Sequence, residues 1–299
     1  MNDGILIIDK PTDWTSHDVV GKLRRLLKTK RIGHTGTLDP FATGVLVMLV
    51  GQATRLAQFL DKDQKEYEAT IQFGFETDTG DLTGRMRDEV GRMNEEETSE
   101  ILNQTNWEEI FAEFRGEILQ TPPMFSAKKV EGKKLYELAR KGVEIERKPV
   151  SITIYELEIL EEILNPQSQI RIRVACSAGT YIRTLAEDIG RKIGVPCHLS
   201  ALRRTRAGKF DLTKAVTIEQ LEEIIESGKL DDYMLSMSNA LLHLPEIKLS
   251  DEEIKKTRNG MKFPNDLEAE TVRLTDADAN LIAIGTAREN FIHPKIVFV

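Results

Sequence analysis

Between Arg31 and Gly51 the chain reads RIGHTGTLDPFATGVLVMLVG, and this run restricts the possible folds more than any other. Gly33, Gly36 and Gly44 bracket a lone acid, Asp39, which precedes Pro40 and leads into the apolar run VLVMLV. Glycine permits backbone geometry closed to other residues and lets another molecule's backbone come close. Pro40 fixes its own φ and turns Asp39 away from the helical region. The stretch therefore predicts a shaped turn that presents one carboxylate ahead of a buried strand.

Neighbouring segments supply the elements that such a turn must pack against. ILIID, Ile5 to Asp9, reads as a short buried strand ended by Lys10-Pro11, and Ser16 is the expected N-cap of a following helix. Val19, Val20, Leu23, Leu26 and Leu27 share one face of that helix, which leaves Lys22, Arg24, Arg25 and Lys28 pointing largely elsewhere. In KEYEATIQFG the residues Tyr67, Ala69, Ile71 and Phe73 alternate with polar ones, the period of a half-buried strand. ETDTGDLTGR is turn-rich and precedes an acidic helical region that ends near Phe114. From Leu119 to Lys148 a proline pair, a basic loop and one short amphipathic helix read as an inserted element. Strands resume in SITIYELEIL and IRIRVAC, and SAGTYIRTLAEDIGRKIG starts with a glycine turn and continues as a helix. After Leu230 the composition shifts. Ser250 to Glu253 is a capping-box signature for a helix closed by Gly260, and short strands follow around VRLT, LIAIGTA and KIVFV.

With 299 residues, 40% hydrophobic and 30% charged, the chain has the composition of a globular protein large enough for two domains. No apolar stretch has the length of a membrane span or the layout of a signal peptide. Cys176 and Cys197 form no CxxC pair, and a reducing cytoplasm is the expected compartment. The net charge of −8 argues against a polyanionic partner only until its distribution is considered. KLRRLLKTKR gathers Lys22, Arg24, Arg25, Lys28, Lys30 and Arg31 without an acid. LRRTRAGKF carries Arg203, Arg204, Arg206 and Lys209, and the inserted element carries Lys128, Lys129, Lys133, Lys134, Arg140 and Lys141. One basic run is ordinarily a solvated helix face. Three of them flanking glycine turns point to a phosphate-contacting surface.

The chemistry narrows by residue type. The histidines show no paired metal-ligand spacing, so no metal is expected. The glycine-rich loop lacks GK[ST], no dinucleotide fingerprint is present, and no nucleophile elbow is seen, so no cofactor is expected. What remains is Asp39, with Tyr67, Tyr181 and Arg183 on later elements. Each has a plainer reading: Asp39 as a turn-capping residue, Tyr67 as a half-buried aromatic, Tyr181 and Arg183 as packing and a surface pair, His34 as a polar loop residue.

Taken together, the motifs resemble the TruB-type tRNA pseudouridine synthases. GHTGTLDPFATGVL, preceded by ILIIDKPTDWTS and followed by KEYEATIQFG, is similar to the first motifs of that family; SAGTYIRTLAEDIG and ALRRTRAG match later ones in order. PPMFSAKKVEGKKLYELARKG resembles the family's inserted RNA-gripping loop, and the likeness extends over nearly the whole chain. One departure stands out: the first motif commonly reads KPxGxTS, and here Asp13 occupies the glycine position.

The resemblance implies an α+β fold, a mixed and mainly antiparallel sheet flanked by helices around a central cleft. Residues 1–235 would be catalytic, with the insertion at about 119–148, and residues 236–299 a small β-rich PUA-like RNA-binding domain. It implies conversion of uridine 55 in the tRNA T arm to pseudouridine, without cofactor, obligate protein partner or membrane, by a monomer. Asp39 carries over as the nucleophile, attacking C1′ or C6 or removing a proton at C2′, and Arg183 as its charge partner. Tyr67 would stack on the flipped base and help remove its C5 proton. Tyr181 and Leu202 would wall the pocket, and His34 would fill the space the nucleotide leaves. Lys22, Arg24, Arg25, Lys28, Lys30, Arg31, Lys128, Lys129, Arg203 and Arg204 would meet the RNA backbone. A non-catalytic RNA-remodelling protein, a guide-RNA-dependent synthase subunit and an aspartate-dependent hydrolase are the competing readings.

Overall fold

The computed structural model describes residues 3–87, 92–126, 128–130, 132–163 and 168–298. Its first strands are β1 (Gly4–Lys10), β2 (Ile32–Thr35), β3 (Thr43–Val50), β4 (Lys65–Phe73) and β5 (Gly116–Gln120). The inserted element forms a small hairpin, β6 (Lys129–Val130) with β7 (Lys133–Lys134). Then come β8 (Val150–Ile163), β9 (Gln169–Cys176), β10 (Cys197–Ala207) and β11 (Phe210–Asp211). Among the described residues the main sheet runs β1-β3-β10-β4-β9-β8-β5, with β2 on β3 and β11 on β10. Its pairings are antiparallel except for β3 with β10. The expected alternation in β4 holds: Tyr67, Ala69, Ile71 and Phe73 are buried while the residues between them are half-exposed.

Helix α1 (Ser16–Leu26) follows from its sequence with one correction. Thr15, not Ser16, is the N-cap: its hydroxyl accepts from the Asp18 N–H and the Asp18 carboxylate accepts from the Thr15 N–H, a complete capping box. Ser16 is left free for another task. Its buried hydroxyl holds Leu38 at both backbone atoms, 3.0 Å from the amide and 3.2 Å from the carbonyl. Val19, Val20, Leu23 and Leu27 face the core. The short α2 (Ala57–Leu60), α3 (Glu95–Gln104), α4 (Trp107–Phe114), α5 (Leu135–Ala139) and α6 (Ile182–Ile193) follow, and of these α2 and α6 line the cleft. The last of these ends at Gly194 with φ +77°, a left-handed cap.

Asp13, the residue that departs from the motif, sits at φ +63°. Aspartate tolerates that region better than most side chains but less well than glycine, which accounts for the glycine usual there.

The closest backbone approach in the sheet explains another glycine. Gly44 lies at φ +98° in register with Arg204, and a Cβ there would fall 2.2 Å from the Arg204 carbonyl oxygen. Gly44→Ala is expected to cost about 3 kcal/mol or more through strain and displacement of β10. Gly228→Ala, at φ +72° with open space around it, meets the strain alone, about 1–2 kcal/mol. Thermal denaturation of the two variants side by side checks this.

The C-terminal strands β12 (Glu246–Lys248), β13 (Phe263–Pro264), β14 (Ala269–Thr275), β15 (Leu281–Arg288) and β16 (Phe291–Val297) form a second sheet, ordered β12-β14-β15-β16-β13. The helix Asp251–Arg258 lies against it, capped by Ser250 and Glu253 as expected. Leu281 and Ile284 of this sheet, with Phe298 just past its last strand, share a core cluster with Ile5, Ile7 and Val47 of the main sheet. The two sheets are thus joined by buried apolar surface.

Candidate active site

The Asp39 turn is held from four directions. Ser16 fixes Leu38, and Lys10, fully buried at the end of β1, donates to the carbonyls of Pro11, Trp14 and Pro40. Asp61 accepts from the Gly36 N–H at 2.9 Å, and Arg204 donates to the Gly36 carbonyl at 2.8 Å. Gly36 makes the turn at φ +62°; Gly33, by contrast, sits in β2 with ordinary φ. Burial pulls the Lys10 ammonium down to about 8, and the Asp39 carboxylate opposes that pull.

So constrained, Asp39 faces Arg183, the second residue of α6. The Arg183 Nε donates to Asp39 Oδ2 at 3.0 Å, Nη1 to the Thr79 carbonyl at 2.7 Å and Nη2 to the Phe125 carbonyl at 2.7 Å. A second carboxylate, Asp81, stands 3.7 Å from the same Nε. Asp81 is itself fixed by the Thr79 hydroxyl and by the Thr83 amide and hydroxyl. The fork geometry of a guanidinium is what lets one side chain meet three chain segments at once. About a third of the Asp39 side chain remains open to the cleft, against a twentieth of Arg183. Burial pushes the Asp39 pKa above the usual carboxylate range; Arg183 draws it back down and Asp81 adds to the rise.

Around this pair lies a cleft of about 480 Å³, large enough for a nucleoside. Tyr67, Tyr181, Leu202 and His34 all line it, so these sequence-selected residues converge from β4, the α6 N-cap, β10 and β2. Gln120 clamps Tyr181 by accepting from its N–H and donating to its carbonyl. The Tyr67 ring is almost wholly buried, and its phenol pKa is raised by burial and lowered again by the adjoining Arg204. Burial also lowers the His34 pKa, with His17 and Arg204 pushing the same way. Its edge-on neighbour is His17, 6.0 Å away between ring centres.

The expected RNA-backbone contacts divide. Arg24, Arg25, Lys28, Lys30 and Arg31 are exposed along α1 and the turn after it. Lys22 is ion-paired with Glu222, and Arg203 forms a two-point pair with Asp9. Lys128 is half-buried, and the Lys129 side chain lies outside the described residues. Arg204 is a correction: it is 1% exposed, donates to the Val45 and Gly36 carbonyls, and forms part of the cleft floor. A basic run on a strand alternates faces, so its neighbour Arg203 can reach the surface while Arg204 turns inward. Sequence reasoning also passed over Asp81 and Lys10. Asp81 was visible only as one acid in a turn-rich stretch, and nothing local marked its partner.

Residues 24–182 match the family described as TruB family pseudouridylate synthase (N terminal domain), and residues 183–242 match the tRNA pseudouridylate synthase B C-terminal domain. The chain is 42% identical to the tRNA pseudouridine synthase B of Bacillus cytotoxicus, over 93% of this chain and 90% of that protein. It is 42% identical to that of Solibacter usitatus over 99% of each. Among solved structures it resembles a chain of a Cbf5-Nop10-Gar1 complex, with TM-score 0.72, 27% identity, and coverage of 99% of this chain and 84% of the other. The chain belongs to the TruB family.

Proposed function

We propose that the protein isomerises uridine 55 in the T arm of tRNA to pseudouridine, with Asp39 as its nucleophile. The observation that carries this reading is the Asp39–Arg183 ion pair at the mouth of a nucleoside-sized cleft walled by Tyr67. A uridine inside a folded RNA loop must be swung out before a carboxylate can reach it. Extrusion costs a few kcal/mol, offset by stacking and phosphate contacts. Arg183 keeps Asp39 ionised and aimed; the carboxylate then attacks C1′ or C6, or removes the C2′ proton. The C1′–N1 bond breaks, the base turns, C5 bonds to C1′ as the bond to Asp39 is released or the proton taken from C2′ returns, and the C5 proton is then lost. Tyr67 stacks on the base, and its phenol helps pass the C5 proton on to solvent water. Exposed cations of α1 and its following turn meet the phosphates, so affinity falls steeply with salt.

The tRNA reading is preferred over a guide-RNA-dependent subunit because the relatives at 42% identity carry the tRNA synthase name over nearly their full length. Residues 236–299 act in this reading as a PUA-like RNA-binding unit of a monomer. A reducing cytoplasm suits two cysteines that are both free and buried.

The test is release of tritium from a tRNA transcript labelled at uridine C5. Stoichiometric release confined to one T-loop site supports the reading; tight tRNA binding without release favours a remodelling protein. Tyr67→Phe keeps the ring and removes the phenol. Its single-turnover rate is expected to fall about 10–100-fold, with tRNA affinity within about twofold. An unchanged rate leaves Tyr67 a stacking surface only.

A further inference from the structure

The mouth of the Asp39 cleft carries an acid where a surface that meets RNA ordinarily carries a cation. Of the side chains lining the cleft, Tyr67, Leu202 and Arg204 are buried, whereas Gln58 and Asp61 are exposed. Gln58 lies in α2 and Asp61 caps that helix with helical backbone, so the two stand three residues apart on one face. Asp61 is fixed through backbone and side chain alike. Its N–H donates to the Ala57 carbonyl at 3.0 Å, its own carbonyl accepts from the Lys65 ammonium at 3.1 Å, and Oδ1 accepts from the Gly36 N–H at 2.9 Å. Among the described residues Oδ2 takes no hydrogen bond or ion pair, and the Gln58 amide makes no hydrogen bond. A carboxylate oxygen and a carboxamide thus stand open to solvent, side by side, on a support tied to the Asp39 turn.

We propose that Asp61, with Gln58 beside it, reads the edge of a base next to the target uridine, the free carboxylate oxygen accepting from a base N–H. The inference rests on the reading that a uridine enters this cleft. A uridine seated deep against Tyr67 leaves the nucleotides joined to it at the mouth, where Gln58 and Asp61 stand. Like charge keeps a phosphate away from the carboxylate, so a group that approaches Oδ2 must bring a hydrogen. A ribose hydroxyl offers one alone. The carboxamide next to the acid, donor and acceptor together, matches instead the paired pattern of a base edge. Such a contact sorts RNAs, because a base without the N–H leaves a desolvated carboxylate unpaired.

The test uses tRNAs tritiated at the target uridine C5 and altered at one flanking position at a time, each to a base analogue lacking N–H donors on its pairing edge. Wild type is compared with Asp61→Asn, which keeps Oδ1 as acceptor for Gly36 and turns the free oxygen into a donor. At one position the analogue is expected to lower the wild-type kcat/KM about tenfold, yet to change that of Asp61→Asn less than twofold. On the unaltered tRNA, Asp61→Asn should itself fall about tenfold with Tm unchanged. Analogue effects equal in the two proteins at every position overturn the proposal, since they belong to the RNA. An Asp61→Asn loss equal on all the tRNAs, with or without a lowered Tm, makes Asp61 a support of Gly36 only and overturns it too. Coupling confined to a 2′-deoxy substitution would place the contact on the sugar and reject the base assignment. Absence of release from wild type on the unaltered tRNA would refute the isomerase reading instead, so the two failures are told apart.

Discussion

Asp39→Asn is expected to lower the single-turnover rate by about 10⁴-fold or more, the scale seen when a nucleophile is removed, while tRNA binding stays within about twofold. Asparagine keeps the shape and can accept from the Arg183 Nε, so the turn held by Ser16, Lys10, Asp61 and Arg204 is preserved. Affinity depends on phosphate contacts elsewhere and has no reason to fall. Folding should not suffer either. The folded Asp39 pKa is raised, so the neutral acid is the form the fold favours. Its stabilising contribution is present below the unfolded pKa and is lost as pH rises through the folded value. At neutral pH the charged carboxylate is a net cost, and Tm of the variant is expected to be at least that of wild type. For catalysis the sign runs the other way, because the ionised form reacts. Activity of the wild type should disappear with falling pH at a point above the ordinary carboxylate range. Tritium release, filter binding and calorimetry across pH check the set; release at the wild-type rate in the variant would reject the assigned nucleophile.

Arg183→Lys has the second-largest expected effect, about 10²–10³-fold in rate, equivalent to roughly 3–4 kcal/mol of lost transition-state stabilisation. One ammonium cannot reach Asp39 Oδ2 and the carbonyls of Thr79 and Phe125 together, as the guanidinium does. Asp39 would then feel Asp81 with less compensation, and its pKa should climb further. The acid limb of the rate profile should therefore move to higher pH than in wild type. A rate loss with an unmoved limb would mean that Arg183 orients the carboxylate without tuning its charge. Because the side chain is almost wholly buried, a small drop in Tm is also expected, from the two carbonyls left without their donors.

Much of the site could be read from residue order. Asp39 stood out by its turn chemistry; the strand of Tyr67 and the helix start of Tyr181 and Arg183 were legible locally, but only the resemblance of the ordered motifs gave these three a place in the site. Their assembly could not be read that way. Asp39 and Arg183 are 144 residues apart, and they meet because β3 pairs in parallel with β10 while α6 packs on β10. Asp81 escaped notice for the same reason: an acid in a turn ordinarily caps that turn, and only the packed loop brings it within 3.7 Å of the arginine. Arg204 was misplaced because a cluster of cations says nothing about which member a strand turns inward.

The sequence alone determined most of the elements and set one carboxylate, Asp39, apart from the rest. Apolar periodicity, the Ser250–Glu253 capping pattern and the glycine turn before Asp39 are local constraints, and each acts within a few residues. Only the tertiary structure decided which charges are neighbours. Coulomb energy and burial depend on distance and enclosure, and these are set by strand register and helix packing between segments far apart in the chain. For that reason the acid could be named from its own loop, whereas its raised pKa, its arginine and the buried Arg204 beneath it emerged only when the sheet was assembled.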